Sequence, residues 1–185
     1  MLNLGVMAET LRAAIFLDRD GVINENRAQY VRTWEQLQLL AGALPALVRL
    51  AGSAFAVVIV TNQSAIGRGL LGSGMAQHIN TQLVAQLVQA GARIDGVYVC
   101  PHQPDEDCAC RKPRPGMLLQ AARELQLDLA KSWMVGDAVT DAQAGLAAGT
   151  KALLVRTGRG GESGAVPAGV AQVADLAAAV DRILS

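Results

Sequence analysis

Ala14-Ile15-Phe16-Leu17-Asp18-Arg19-Asp20-Gly21-Val22 sets four apolar residues directly against two carboxylates and a glycine. An apolar run this short, ended by a turn signal, reads as a strand buried on both faces of a sheet. Phe55–Val60, Val97–Cys100, Trp133–Val135 and Ala152–Val155 repeat the form. Helical patterns fall between them: Leu44, Leu47, Val48 and Leu50 mark the first, and Ile79, Leu83, Leu87 and Val88 the second. Met117, Leu118, Ala121, Ala122 and Leu125 mark a third, Asp141–Ala148 a fourth and Val173–Leu184 a last. Strand alternating with helix predicts an α/β fold: a three-layer, Rossmann-like domain around a central parallel sheet. Ligands in such sheets sit beyond the carboxyl ends of the strands. Asp18 and Asp20 follow the first strand, Thr61 and Asn62 the second, and Gly136-Asp137 the fourth, so these stretches are expected to meet at one edge.

The 185 residues fit one domain, 1–185, with 1–13 as an N-terminal extension. Hydrophobic residues are 51% of the chain and aromatic ones 3%, so the core is built from Ala, Val, Leu and Ile. Sixteen basic residues balance sixteen acidic ones, which argues against nucleic acid and against an anionic membrane surface as partners. No run reaches the roughly 20 apolar residues of a membrane helix. Met1–Ala14 lacks a basic start and carries Glu9, so it does not read as a secretory signal, and Met7 is an alternative start. Three cysteines are too few for a disulfide framework, and a cytoplasmic, monomeric protein is expected. Gly158–Gly164 reads as a surface loop before the last helix.

Two carboxylates two residues apart at a strand mouth can face one site. One can attack phosphorus and form an acyl phosphate; the other can protonate the leaving oxygen and then activate water. The plain alternative is a solvated turn, since Asp and Gly favour turns.

This segment resembles the first motif of the haloacid dehalogenase (HAD) superfamily of phosphatases, Asp-x-Asp after a strand. Val60-Thr61-Asn62 is similar to its second motif, Arg111-Lys112-Pro113 to its third, and Val135-Gly136-Asp137-Ala138-Val139-Thr140-Asp141 to its fourth. The resemblance implies Asp18 as nucleophile, Asp20 as general acid–base, Thr61 as hydrogen-bond donor to the phosphoryl group and Lys112 as its positive charge. It also implies Mg²⁺ held by the Asp18 carboxylate, the Asp20 backbone carbonyl and Asp137. Asp141 either holds a metal-bound water or caps the following helix. Only about forty residues separate the first two motifs, so no large cap domain is expected.

Cys100-Pro101-His102-Gln103-Pro104-Asp105-Glu106-Asp107-Cys108-Ala109-Cys110 gathers every cysteine of the chain and one of its two histidines. Thiolates with an imidazole select zinc, and four protein ligands close a tetrahedron with no position for water. The loop 100–110 is therefore expected to hold structural Zn²⁺ through Cys100, His102, Cys108 and Cys110. The alternative is a set of free thiols or a strained Cys108–Cys110 bridge. Cys-x-His followed by Cys-x-Cys-Arg-Lys-Pro also resembles two phosphatase families, those acting on heptose bisphosphate and on histidinol phosphate. The continuation Arg114-Pro115-Gly116-Met117 resembles the first.

That resemblance implies a small phosphorylated sugar as substrate: D-glycero-D-manno-heptose 1,7-bisphosphate cut at C7. The 1-phosphate product would supply nucleotide-activated heptose and lipopolysaccharide core synthesis. Substrate contacts are assigned to Asn62, Gln63, Ser64, Arg111 and Lys112, with Arg27 and Tyr30 from the loop after the first motif. The donor-rich loop 61–69 also reads as a turn with helix-capping residues. Three other functions stand against this one: a histidinol-phosphate phosphatase, a non-catalytic zinc-containing binding module, and a nucleic-acid end phosphatase.

Overall fold

Ala14, Ile15, Phe16 and Leu17 are all fully buried, because the strand they form is central in its sheet. The computed structural model describes residues 11–159 and 165–185. Its six strands are β1 (Ala14–Leu17), β2 (Ala56–Asn62), β3 (Gly96–Cys100), β4 (Trp133–Gly136), β5 (Lys151–Val155) and β6 (Ala171–Val173). They lie in the order β3-β2-β1-β4-β5-β6, and every neighbouring pair is parallel. The helices are α1 (Ala43–Ala51), α2 (Ser64–Gly67), α3 (Ser73–Gln89), α4 (Gly116–Glu124), α5 (Val139–Ala148) and α6 (Leu176–Leu184).

Side chains alternate across the sheet as the pleat requires. Ile15, Leu17, Val57, Ile59 and Val135 pack with Leu47 and Leu50 of α1, Leu83 and Leu87 of α3, and Ala179 and Val180 of α6. Ala14, Phe16, Val58, Val60 and Met134 face the other way, onto Met117, Leu118 and Ala121 of α4 and Ala144 and Ala148 of α5. Three layers result, the helix–sheet–helix arrangement expected. No element the size of a cap domain interrupts the chain between β1 and β2, where the described elements are a single 3-10 turn (Trp34–Gln36) and α1.

The structure corrects several boundaries. Thr61 and Asn62 are the last residues of β2 rather than a following turn, and Phe55 lies outside that strand. Val173 belongs to β6, so the last helix starts at Leu176, where Asp175 accepts a 2.9 Å hydrogen bond from the Ala178 amide. The short helix α2 had no apolar periodicity to announce it. Of the N-terminal extension, residues 1–10 lie outside the described residues, as do residues 160–164 of the glycine-rich loop. Arg12 ties the start of the described chain to the body through the carbonyls of Ala54 and Phe55. Among the described residues no helix is long and apolar enough to cross a membrane.

Candidate active site

β1 and β4 are neighbours, with Leu17 opposite Val135, so the residues just past their ends share one space. Asp18 follows β1 and its amide donates to the Val135 carbonyl at 3.0 Å; Asp137 follows β4. Lys112 enters from the chain between β3 and α4. Its Nζ lies 2.8 Å from Asp18 Oδ1, 2.7 Å from Asp141 Oδ1 and 2.9 Å from the Val60 carbonyl. An ammonium has three hydrogens, and protein acceptors take all three here. What Lys112 presents to an incoming anion is therefore charge at short range.

Carboxylate oxygens of Asp18, Asp137 and Asp141 lie within 4.8 Å of one another, and all three residues are buried. Three carboxylates thus crowd one ammonium away from water. Burial pushes Asp18 up to about 7, against the pull of Lys112 and with the push of Asp141 and Asp137. Asp137 rises to about 6, chiefly through burial and then through Asp141. The Lys112 ammonium is held charged well above the ordinary lysine range by Asp141 and Asp18, which together outweigh its burial.

Asp141 does two things that sequence reading left as alternatives or missed. From the first turn of α5 its Oδ2 accepts the Ala138 amide at 2.9 Å, which caps the helix. Its Oδ1 holds Lys112, a partner 29 positions away in sequence that no local pattern signals. Backbone packing is equally tight. Gly21, at φ +88°, and Gly158, at φ +62°, both lie where a Cβ would collide with the Asp137 carboxylate. The Arg159 amide donates to Asp137 Oδ2 at 2.7 Å, and Thr157 Oγ1 donates to the Gly21 carbonyl at 2.6 Å. Thr157 and Arg159 carry no motif and were not anticipated.

Asp20 sits at the mouth, partly exposed. Its Oδ1 accepts from Asn24 Nδ2 at 2.8 Å, and its Oδ2 from Gln63 Nε2 at 2.7 Å and Arg19 Nη2 at 2.9 Å. Gln63 Nε2 also donates to Thr61 Oγ1 at 2.9 Å, which leaves the threonine hydroxyl its own proton to give. Asn62 grips the third motif by its backbone: Oδ1 accepts from the Lys112 amide and Nδ2 donates to the Lys112 carbonyl, both at 3.1 Å.

These groups line one cavity of about 570 Å³. Ser64, Arg27, Tyr30 and Arg111 border it as well, so every residue assigned to catalysis or substrate lies on this single surface. Arg114 and Arg159 join the rim unannounced, bringing it to four arginines with Arg27 and Arg111, of which Arg114 is paired with Asp107. Arg27 is exposed and donates to the Gln36 carbonyl, and Arg111 donates to the His102 carbonyl at 3.1 Å.

That last bond leads to the cysteine loop. Cys100 Sγ is 3.6 Å from Cys108 Sγ and 3.2 Å from Cys110 Sγ, and the latter two are 3.4 Å apart. His102 Nδ1 is 3.2 Å from Cys110 Sγ and 3.6 Å from Cys100 Sγ. All three thiols are free, so the alternative of a strained Cys108–Cys110 bridge is not met. Burial pushes the Cys100 thiol up to about 12.

Comparison with known proteins agrees with this geometry. An HAD-hydrolase-like family model matches residues 109–181. The D-glycero-β-D-manno-heptose-1,7-bisphosphate 7-phosphatase of Bordetella bronchiseptica is 40% identical over 173 residues, 92% of this chain and 97% of the relative. The enzyme of the same name from Yersinia pestis is 46% identical over 155 residues, 79% of this chain and 81% of its own. The crystal structure of the B. bronchiseptica heptose bisphosphate phosphatase, complexed with magnesium and phosphate, superposes with a TM-score of 0.88 at 39% identity. It covers 93% of this chain and 98% of that one. With identities of 40% and 46% sustained over 97% and 81% of these two relatives, the chain belongs to the D-glycero-β-D-manno-heptose-1,7-bisphosphate 7-phosphatase family of HAD phosphatases.

Proposed function

We propose that the protein hydrolyses the C7 phosphate of D-glycero-D-manno-heptose 1,7-bisphosphate, leaving the 1-phosphate in place. The observation that carries this reading is the Asp18–Lys112–Asp141 cluster beside Asp20, Thr61 and Asp137, in a chain so similar to heptose bisphosphate phosphatases. The β anomer is proposed because those relatives are named for it.

Asp18 is the nucleophile. Its Oδ1 is held by Lys112, which leaves the other oxygen to attack phosphorus while the bond to the C7 oxygen breaks. Asp20, as the acid, gives its proton to that leaving oxygen. A water then attacks the aspartyl phosphate, Asp20 takes up the water's proton, and Asp18 and inorganic phosphate separate. Thr61 donates to an equatorial phosphoryl oxygen, and Lys112 stabilises the charge gathered there. The basic rim, Arg111 foremost, grips the phosphate that does not react, since a guanidinium fork matches phosphate geometry. Asn62, Gln63 and Ser64, with Arg27 and Tyr30, complete the substrate contacts.

The acidic cluster suits Mg²⁺: hard oxygens converge, and they carry more negative charge than Lys112 balances. Asp18, Asp137 and the Asp20 carbonyl would hold it, offsetting repulsion between the carboxylate and the phosphate. Zinc suits the other cluster. A tetrahedral ion with Zn–S bonds of about 2.3 Å sets its sulfurs about 3.8 Å apart. The donor separations of 3.2 to 3.6 Å approach that spacing. Zinc is thus assigned a structural role, bound by Cys100, His102, Cys108 and Cys110. With those four residues so held, the His102 carbonyl that receives Arg111 would be fixed in place. A cytoplasmic monomer feeding nucleotide-activated heptose and lipopolysaccharide core synthesis completes the reading.

The test compares kcat/KM on the heptose bisphosphate, on histidinol phosphate and on a 3′-phosphorylated oligonucleotide. The heptose substrate is expected to lead by at least about tenfold, a difference of about 1.4 kcal/mol in transition-state binding. Faster turnover of either rival overturns the substrate. Elemental analysis of protein purified without chelator is expected to give about one zinc per chain.

A further inference from the structure

Arg19 lies between the two motif carboxylates in sequence, and its side chain is buried. It is among the largest fully buried side chains of the protein, only 1% exposed. Its Nη2 reaches Asp20, 2.9 Å from Oδ2 and 3.2 Å from Oδ1, and its Nη1 donates to Asn80 Oδ1 at 2.8 Å. Its Nε has no partner among the described residues. Asn80 is itself buried, on the apolar face of α3 between Ile79 and Leu83.

Both placements are costly by ordinary rules. A buried ion pair commonly stabilises no more than apolar side chains of the same volume would. An amide on a core-facing helical stripe gives up apolar burial and some helix propensity. Fold stability therefore gives no reason for this pair, but geometry does. Asp20 sits in a mouth where it is partly exposed, and a carboxylate there would rotate without partners to hold it. Three donors from separate places fix its plane: Asn24 from the turn, Gln63 from the end of β2 and Arg19 from below. Asn24 and Gln63 belong to the site loops, whereas Arg19 is anchored through Asn80 to the helical layer.

We infer that Arg19 and Asn80 are positioning residues, a buried strut from α3 that holds the Asp20 carboxylate in line with the leaving oxygen. This rests on Asp20 acting as the general acid–base. A misaligned acid hurts most where the leaving group must be protonated. An alkoxide from a sugar needs that proton, whereas p-nitrophenolate leaves without it.

The experiment measures Asn80→Leu, Asn80→Asp and Asp20→Asn on heptose 1,7-bisphosphate and on p-nitrophenyl phosphate, with pre-steady-state detection of nitrophenolate. Asn80→Leu is expected to lower kcat on the sugar phosphate by about 10- to 100-fold, with KM changed less than about twofold. The rate of the first nitrophenolate turnover should change less than about threefold, because Asp18 still attacks. Asn80→Asp keeps an acceptor for Arg19 and should restore the sugar rate to within about threefold of the parent. If Asn80→Leu does not fold, Asn80→Ser, too short to reach the guanidinium, is read the same way. An equal fall on both substrates, a loss confined to KM, or failure of Asn80→Asp to rescue would each overturn the strut. Absence of any leaving-group dependence in Asp20→Asn would instead overturn the general-acid reading beneath it.

Discussion

Lys112 is buried between Asp18 and Asp141 with all three of its hydrogens given to protein acceptors, so each of the three depends on the others. Asp18→Asn removes the attacking charge but keeps the shape. Turnover is expected to fall by more than about a thousandfold with the unfolding midpoint not lowered, and survival of more than about a tenth of the activity would end the covalent step. The same residue makes stability depend on pH. Its folded value of about 7 lies above the ordinary 3.8, so between those values the folded chain binds more protons than the unfolded one. The stability this contributes is present below about 3.8 and is lost as pH rises through about 7, and Asp137 acts in the same direction up to about 6. In magnesium-free buffer the melting temperature is therefore expected to decline from pH 5 to 7.5. Asp18→Asn should flatten that decline, and an unchanged slope would refute the assignment. The motif carboxylates were legible in the sequence because a strand end and a two-residue spacing fix where they point. The partners of Arg19, Gln63 and Asp141 were not, because Asn80, Asp20 and Lys112 reach them across the fold rather than along the chain.

The cysteine loop and α4 meet at Gly116. Its amide donates to the Ala109 carbonyl at 3.2 Å, and a Cβ there would strike that same carbonyl. Arg114 braces the loop from below through the carbonyls of Asp107 and Cys108. Gly116→Ala must therefore push the loop off the helix start, at a cost of about 1–3 kcal/mol by the usual measure of overpacking. The expected result is a lower denaturant midpoint with faster zinc loss to a chelator, and an unaltered zinc off-rate would show that the two elements are not coupled. Sequence reading found this loop because all its donors fall within eleven residues. It missed β6, whose three residues are half-exposed and leave no apolar run to read. It also started the last helix three residues early, since Val173 continues the apolar spacing of α6 while its backbone pairs with Val155.

At the scale of the whole molecule, the strand order matters most. β1 lies between β2 and β4, and the two halves of the chain are laid out on opposite sides of it. Alternation of strand and helix made that architecture legible, and the polar residues at strand ends line one cavity, the candidate site. Strand order itself was not predicted, since nothing in a buried apolar run names its neighbour. The order has a consequence in time. The four donors of the cysteine loop are joined by short chain, so closing that loop costs little entropy, whereas joining Leu17 to Val135 closes most of the protein. In refolding with zinc present, the Gly116 amide is expected to become protected from exchange before the Asp18 amide, which waits for Val135. The reverse order would mean that the sheet closes first. During synthesis the same sequence of events follows from the direction of translation. A ribosome delivers the whole cysteine loop before it delivers Asp137 or Asp141, so under the metal assignments proposed above the nascent chain would pass through a stage that can retain one metal while still lacking ligands for the other.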